Sequence, residues 1–250
     1  MGYTQAEFIH MFLALFVVLV LGVILKYSLR KKSAAVRQIP LMVLAAAILI
    51  LEVIKQSYHL INGDWSTWYI PFHFCSYFLV WYAVALCSRG RLRQIMYFCS
   101  LVGGILVTIL LFVAPRMILH TAASSVFDTF DHFHTFFYHM GVVAYWVWML
   151  MLNVYHPERK HIYCAVIAHT VFFFVTIAGA HIFHTNYTNV LTADIGILEE
   201  LRLSVGQFPY TIVLLMVGVV AITTVSCATY FIMKKLYRQN LNQEKLTIEH

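Results

Sequence analysis

Four polar side chains interrupt an otherwise apolar stretch at Glu52, Lys55, Gln56 and His59. Their spacing of i, i+3, i+4 and i+7 puts them on one face of a helix. Ionisable groups inside an apolar helix are costly and by default mark function, so the stripe predicts a polar pocket between helices. The competing reading is an internal Glu52–Lys55 ion pair that only locks a bundle. Further along, Pro71-Phe72-His73-Phe74-Cys75 opens another apolar run. Pro71 suits a first helical turn, which places Cys75 close to a helix start. The helix dipole fades beyond that turn, so Cys75 needs a neighbouring base to act as a nucleophile. His73 is two residues away, and i, i+2 side chains do not face each other on a helix. The base is therefore expected from another helix, with His139 the first choice and His59, His181 and His184 behind it. The alternative for Cys75 is an inert buried thiol. A cysteine beside a base is the general pattern for acyl transfer through a thioester.

A rival chemistry is metal binding. Asp128, Asp131, His132 and His134 form a D-x-x-D-H-x-H run, and His181 and His184 stand at i, i+3. Such ligands suit zinc or another transition metal. The spacing matches no strict signature, and a hydrated helix start capped by Asp explains it as well. The expectation is no metal and no cofactor. Trp65, Trp68 and Tyr69 are expected to form an interfacial aromatic belt that needs no ligand.

The elements that must carry these residues follow from composition. The chain has 250 residues, 61% hydrophobic and only 11% charged, with a mean hydropathy of +0.77. A soluble domain carries roughly 25% charged residues, and disorder needs low hydrophobicity, so both are excluded. The net charge of +6 does not imply nucleic acid, because the charges fall in short loops between apolar runs. Five cysteines, all within apolar runs, argue against a disulfide framework. A spanning helix needs roughly 20 mostly apolar residues. Seven stretches qualify, at 8–27, 38–60, 71–87, 92–113, 133–152, 161–183 and 210–233. They predict one all-α integral membrane domain, a bundle of seven transmembrane helices. The first is not a signal peptide, since Met1–Phe8 carries no Lys or Arg.

Lys and Arg set the expected orientation in the cell membrane. Alternate loops and the tail hold Lys26, Arg30, Lys31, Lys32, Arg37, Arg89, Arg91, Arg93, Arg159, Lys160, Lys234, Lys235, Arg238 and Lys245, against Arg116 and Arg202 on the other side. Fourteen against two predicts the N-terminus outside and the C-terminus in the cytoplasm. His59, His73, His120, His132, His134, His139, His181 and His184 then map to the outer half, whereas His156 and His161 are cytoplasmic and His169 is mid-span. Cys75 is the one cysteine expected in the outer half. The outer loop at 184–208 contains Leu191, Ile195 and Leu198, which make either one face of a short interfacial helix or an ordinary connection.

Leu51-Glu52-Val53-Ile54-Lys55, followed by Ile70-Pro71-Phe72-His73-Phe74-Cys75-Ser76, resembles the YwaF-like / transmembrane protein 164 family of integral membrane proteins. Phe136-Phe137-Tyr138-His139 resembles its fifth-span histidine motif, and Thr185-Asn186-Tyr187 its asparagine–tyrosine motif after the sixth span. Phe72 and Phe74 stand where leucines are commoner, and Thr188 departs from the usual apolar residue. These are packing-scale differences. The resemblance implies a cysteine-dependent phospholipid acyltransferase with Cys75 as nucleophile, His139 as its partner, and Asn186 and Tyr187 in supporting positions.

The function expected from residues and resemblance together is acyl transfer on membrane phospholipid, which serves as both substrate and solvent, with no nucleic-acid partner. Gln56, Lys55 or His73 would stabilise an oxyanion or hold a phosphate, and Glu52 would orient Lys55 or a histidine. Two other classes stand beside it. A transporter, channel or proton-coupled carrier would use Glu52, Lys55 and His59, although the stripe does not continue into the cytoplasmic half and no inverted repeat is visible. A heptahelical sensor fits the topology by analogy alone.

Overall fold

The computed structural model describes residues 4–119, 122–193 and 196–248, and their side chains except at 116, 236 and 238–248. The expectations for His120 and Ile195, and for the side chains of Arg116, Arg238 and Lys245, lie outside the described residues.

The described residues form helices and short turns, as apolar runs must where no water can pair the backbone. Helix α1 (Gln5–Leu29) starts from a reciprocal cap, in which the Thr4 amide donates to Glu7 Oε2 at 2.6 Å and the Glu7 amide to Thr4 Oγ1 at 3.3 Å. Helix α2 (Ala34–Asn62) ends at Gly63, whose φ of 72° allows its amide to cap the carbonyls of His59 and Leu60. Helices α3 (Tyr77–Cys87), α4 (Gly90–Val113), α5 (Pro115–Leu119), α6 (Phe130–Met151), α7 (Lys160–Phe183), α8 (Gly196–Val205) and α9 (Gln207–Ile248) follow.

Among the described residues, five helices are long and apolar enough to cross a membrane: α1, α2, α4, α7 and α9 over Gln207–Lys235. The expected third and fifth spans differ from those. The third was to start at Pro71, but 70–73 are bends and coil, Phe74–Ser76 is a 3-10 turn, and α3 begins only at Tyr77. Pro71 therefore precedes the helix instead of opening it. The Phe72 carbonyl, which a helix would have used internally, accepts from Thr176 Oγ1 of α7 at 2.9 Å. The fifth stretch is a full helix, α6, whose first turns carry Asp131, His132, His134 and His139 and so dilute its apolarity. In the outer-loop region α8 forms, while Leu191 lies outside it.

Neighbouring helices run back and forth. One end of the bundle is tied together by cations: Arg93 reaches the carbonyls of Ala85 (3.0 Å) and Ser88 (2.5 Å) and Gln38 Oε1 (2.8 Å), and Arg37 reaches the Leu152 carbonyl (3.1 Å). The opposite end holds the described segments 63–76, 114–119, 122–129, 184–193 and 196–206. There is little hydrophobic drive between helices in lipid, so close packing and polar links must hold them. Trp148 Nε1 donates to the Val18 carbonyl (2.9 Å), linking α6 to α1. Trp146 Nε1 donates to Thr108 Oγ1 (3.1 Å) across the α4–α6 contact, where Gly104 gives the indole room. Outward, Phe16, Ile54, Ile167 and Val220 are all more than 45% exposed, the apolar surface that a lipid environment covers. The core is aromatic: Tyr77, Phe78, Tyr82, Tyr97, Phe98 and Tyr145 are buried together.

Candidate functional site

The stripe on α2 does face inward, and Glu52 is its hub. Its carboxylate accepts from Gln56 Nε2 (2.7 Å) and Lys55 Nζ (2.8 Å) on the same helix. From α6, His134 Nε2 stands 3.1 Å from the other oxygen. Glu52 is buried, so the Gln56 and Lys55 donors, with the His134 ring beside them, replace the water it has lost.

Two turns beyond Glu52, His59 is buried between two carboxylates. Nδ1 lies 3.0 Å from Asp64, just past the Gly63 cap, and Nε2 lies 2.8 Å from Asp131 of α6. Its ring stacks on Tyr69, with centroids 3.7 Å apart. The residues 63–76 are thus clamped to α2 and α6. Gln56 adds to the clamp: its Nε2 also donates to the Tyr69 carbonyl (2.6 Å), and its Oε1 accepts from Trp65 (3.0 Å).

Beside this network lies a cavity of about 340 Å³. Cys75 and His139 both line it, together with Glu52, Lys55, His73, Asp131, His132 and His134. Met117, Ile118, Leu119 and Ala122, from α5 and just beyond, add an apolar wall. The Cys75 backbone is fixed from α6, because Tyr138 Oη donates to its carbonyl at 2.8 Å. His139, next in sequence to that tyrosine, is buried, and its Nδ1 donates to the Thr135 carbonyl at 2.7 Å. That bond sets the tautomer and makes Nε2 the basic nitrogen of the neutral ring. His73 Nε2 donates to the Trp68 carbonyl (3.2 Å), and its ring meets Trp68 and Tyr187 edge-on.

The predicted residues therefore divide. Cys75, His139, Glu52, Lys55 and His73 share the cavity, whereas Gln56 and His59 build its wall from behind. Asn186 is spent on its own loop: its side chain accepts from the amides of Leu191 (2.9 Å) and Thr192 (3.1 Å) and donates to Thr192 Oγ1 (2.8 Å). Tyr187 is fully buried, donates to the Thr67 carbonyl, and packs against Phe72 and His73. Tyr187 supports the segment that carries Cys75, and neither residue lines the cavity. His181 and His184 are exposed at the end of α7.

The residues of the metal reading separate. Asp131 meets His59, His132 Nδ1 meets Ser125 Oγ at 2.8 Å, and His134 meets Glu52. Among the described residues no three His, Cys, Asp or Glu side chains form a metal-sized group. Trp68 and Tyr69, expected in an interfacial belt, also line the cavity, where the Tyr69 ring lies over His59 and Trp68 stays exposed.

Sequence reasoning missed three contributors. Tyr138 was passed over beside His139. Thr176 resembles any hydroxyl in an apolar helix. Gly179 of α7 leaves the space into which the Phe72 ring fits, where a Cβ would come within 2.5 Å of Phe72 Cδ2. A hydroxyl and a glycine three residues apart on one helix face were the signal for the last two.

Long apolar helices around a buried polar chamber define a helical integral membrane protein. The chain belongs to the TMEM164 family, whose model matches residues 2–242. No curated protein and no solved structure matches the chain.

Proposed function

We propose that this protein is a seven-span enzyme of the cell membrane, with its N-terminus outside and its C-terminus in the cytoplasm, that transfers phospholipid acyl chains through Cys75. The observation that carries the reading is the shared cavity: Cys75 from the 63–76 segment and His139 from α6 line one polar chamber beside the Lys55–Glu52 ion pair and His134. The count of seven adds α3 and α6 to the five long apolar helices. The orientation rests on the excess of Lys and Arg at one end.

In this mechanism His139 Nε2 takes the Cys75 proton, and the thiolate attacks the carbonyl carbon of a phospholipid ester. Lys55, which lines the cavity, supplies the positive charge for the oxyanion. The C–O bond then breaks, the leaving alkoxide takes the proton from His139, and a lysophospholipid departs from the Cys75 thioester. A second lysophospholipid hydroxyl gives its proton to His139 and attacks the thioester, restoring the thiolate and then the thiol. The apolar wall from α5 and the lipid around the bundle would hold the acyl chain.

The test is intact-protein mass spectrometry after incubation with phospholipid vesicles. A hydroxylamine-labile acyl adduct is expected on the wild type and not on Cys75→Ala. His139→Ala should slow transfer by about 10²-fold or more. Cys75→Ala protein that folds and still transfers acyl chains at the wild-type rate would overturn the proposal.

A further inference from the structure

A second recess lies at the other end of the bundle, where the cations gather. It is a groove of about 570 Å³ between α7 and α9. Tyr163, Ile167, Cys227 and Phe231 are among the residues of its apolar floor, Arg159 and Lys234 are its cations, and no carboxylate lines it among the described residues. The order along the helices is what matters. Arg159 precedes the first residue of α7, and Ile167 lies two turns deeper. Lys234 lies two turns beyond Cys227 on the antiparallel α9, so both cations stand at the same end and the apolar residues run away from them. The first-turn amides of α7 point to that same end and add partial positive charge. The nearby Glu158 is engaged elsewhere, with Lys160 Nζ at 2.6 Å. Lys234 Nζ rests 5.5 Å over the Tyr230 ring. Tyr163, Ile167 and Phe231 are exposed to the lipid side.

We propose that this groove binds one anionic glycerophospholipid, with its phosphate between Arg159 and Lys234 and an acyl chain along Tyr163, Ile167 and Phe231. The charge pattern selects the occupant. Two cations without a carboxylate attract net negative charge, and a headgroup that carries its own ammonium neutralises its phosphate and gains little. The site is separate from the Cys75 chamber and does not depend on any chemistry there.

The full-length protein in detergent, titrated with phosphatidylglycerol or phosphatidylcholine and read by native mass spectrometry, tests this. One phosphatidylglycerol per chain is expected at concentrations where phosphatidylcholine is not retained. The double variant R159Q/K234Q should lose at least about tenfold in phosphatidylglycerol retention. A second measurement needs no variant: phosphatidylglycerol with a photoreactive acyl chain should crosslink to peptides containing Tyr163 or Phe231. Equal retention of the two lipids, or crosslinks confined to other helices, would overturn the proposal. So would a folded double variant that keeps phosphatidylglycerol, or occupation of the groove by a second copy of the chain.

Discussion

At the scale of single residues, Glu52 bears the largest electrostatic load. Two donors from α2 and the His134 ring of α6 converge on one buried carboxylate. Removing its charge leaves the Lys55 ammonium and His134 without their acceptor, and an uncompensated buried charge costs about 3 kcal/mol. Glu52→Gln is therefore expected to lower Tm in detergent clearly, with Lys55→Met in the same background recovering part of the loss. An unchanged Tm for Glu52→Gln would mean that the pair is solvated and that the chamber is not organised around it. The stripe was legible in the sequence because four polar residues at helical spacing stand out among apolar ones. Their division of labour was not. Gln56 and His59 look equivalent to Lys55 on a helical wheel, yet Trp65 and Tyr69 engage them while Lys55 lines the cavity.

At the scale of elements, the segment before α3 decides where the thiol points. The Phe72 carbonyl is bonded to Thr176, the Phe72 ring fills the space over Gly179, and the Cys75 carbonyl is held by Tyr138. Gly179→Leu should displace the Phe72 ring and shift Cys75 while leaving α7 intact, since leucine is the better helix former. The expected result is a loss of Cys75-dependent acyl transfer with helicity and Tm close to wild type. Retained transfer would show that the Phe72 seat does not position the thiol. The break at 70–76 could not be read from periodicity, because an apolar run after proline looks the same whether the helix begins at once or one turn later. What breaks it is a long-range bond to α7, and local propensity carries no record of that.

For the whole molecule, the two ends differ in kind. One is laced by Arg37 and Arg93 onto carbonyls, while the other holds Glu52, Cys75 and the histidines of the chamber, His73, His132, His134 and His139. If the basic end is cytoplasmic, a membrane-impermeant reagent applied to intact cells should modify a tag placed before Met1 and not one placed after His250. The reverse labelling would invert the proposed topology and move the chamber to the cytoplasmic side. The membrane class, the helical architecture and the approximate position of every long helix were determined by the sequence alone. Apolar length and the need to pair every backbone group admit no other solution in lipid. Only the tertiary structure decided which polar residues line the chamber, that Trp68 and Tyr69 belong to it, and that the histidine–aspartate run is distributed among separate partners. Those outcomes depend on contacts between residues as far apart as Phe72 and Thr176 or His59 and Asp131. Spacing along one helix states which face a side chain takes, but the partner that face meets is set by the packing of the others.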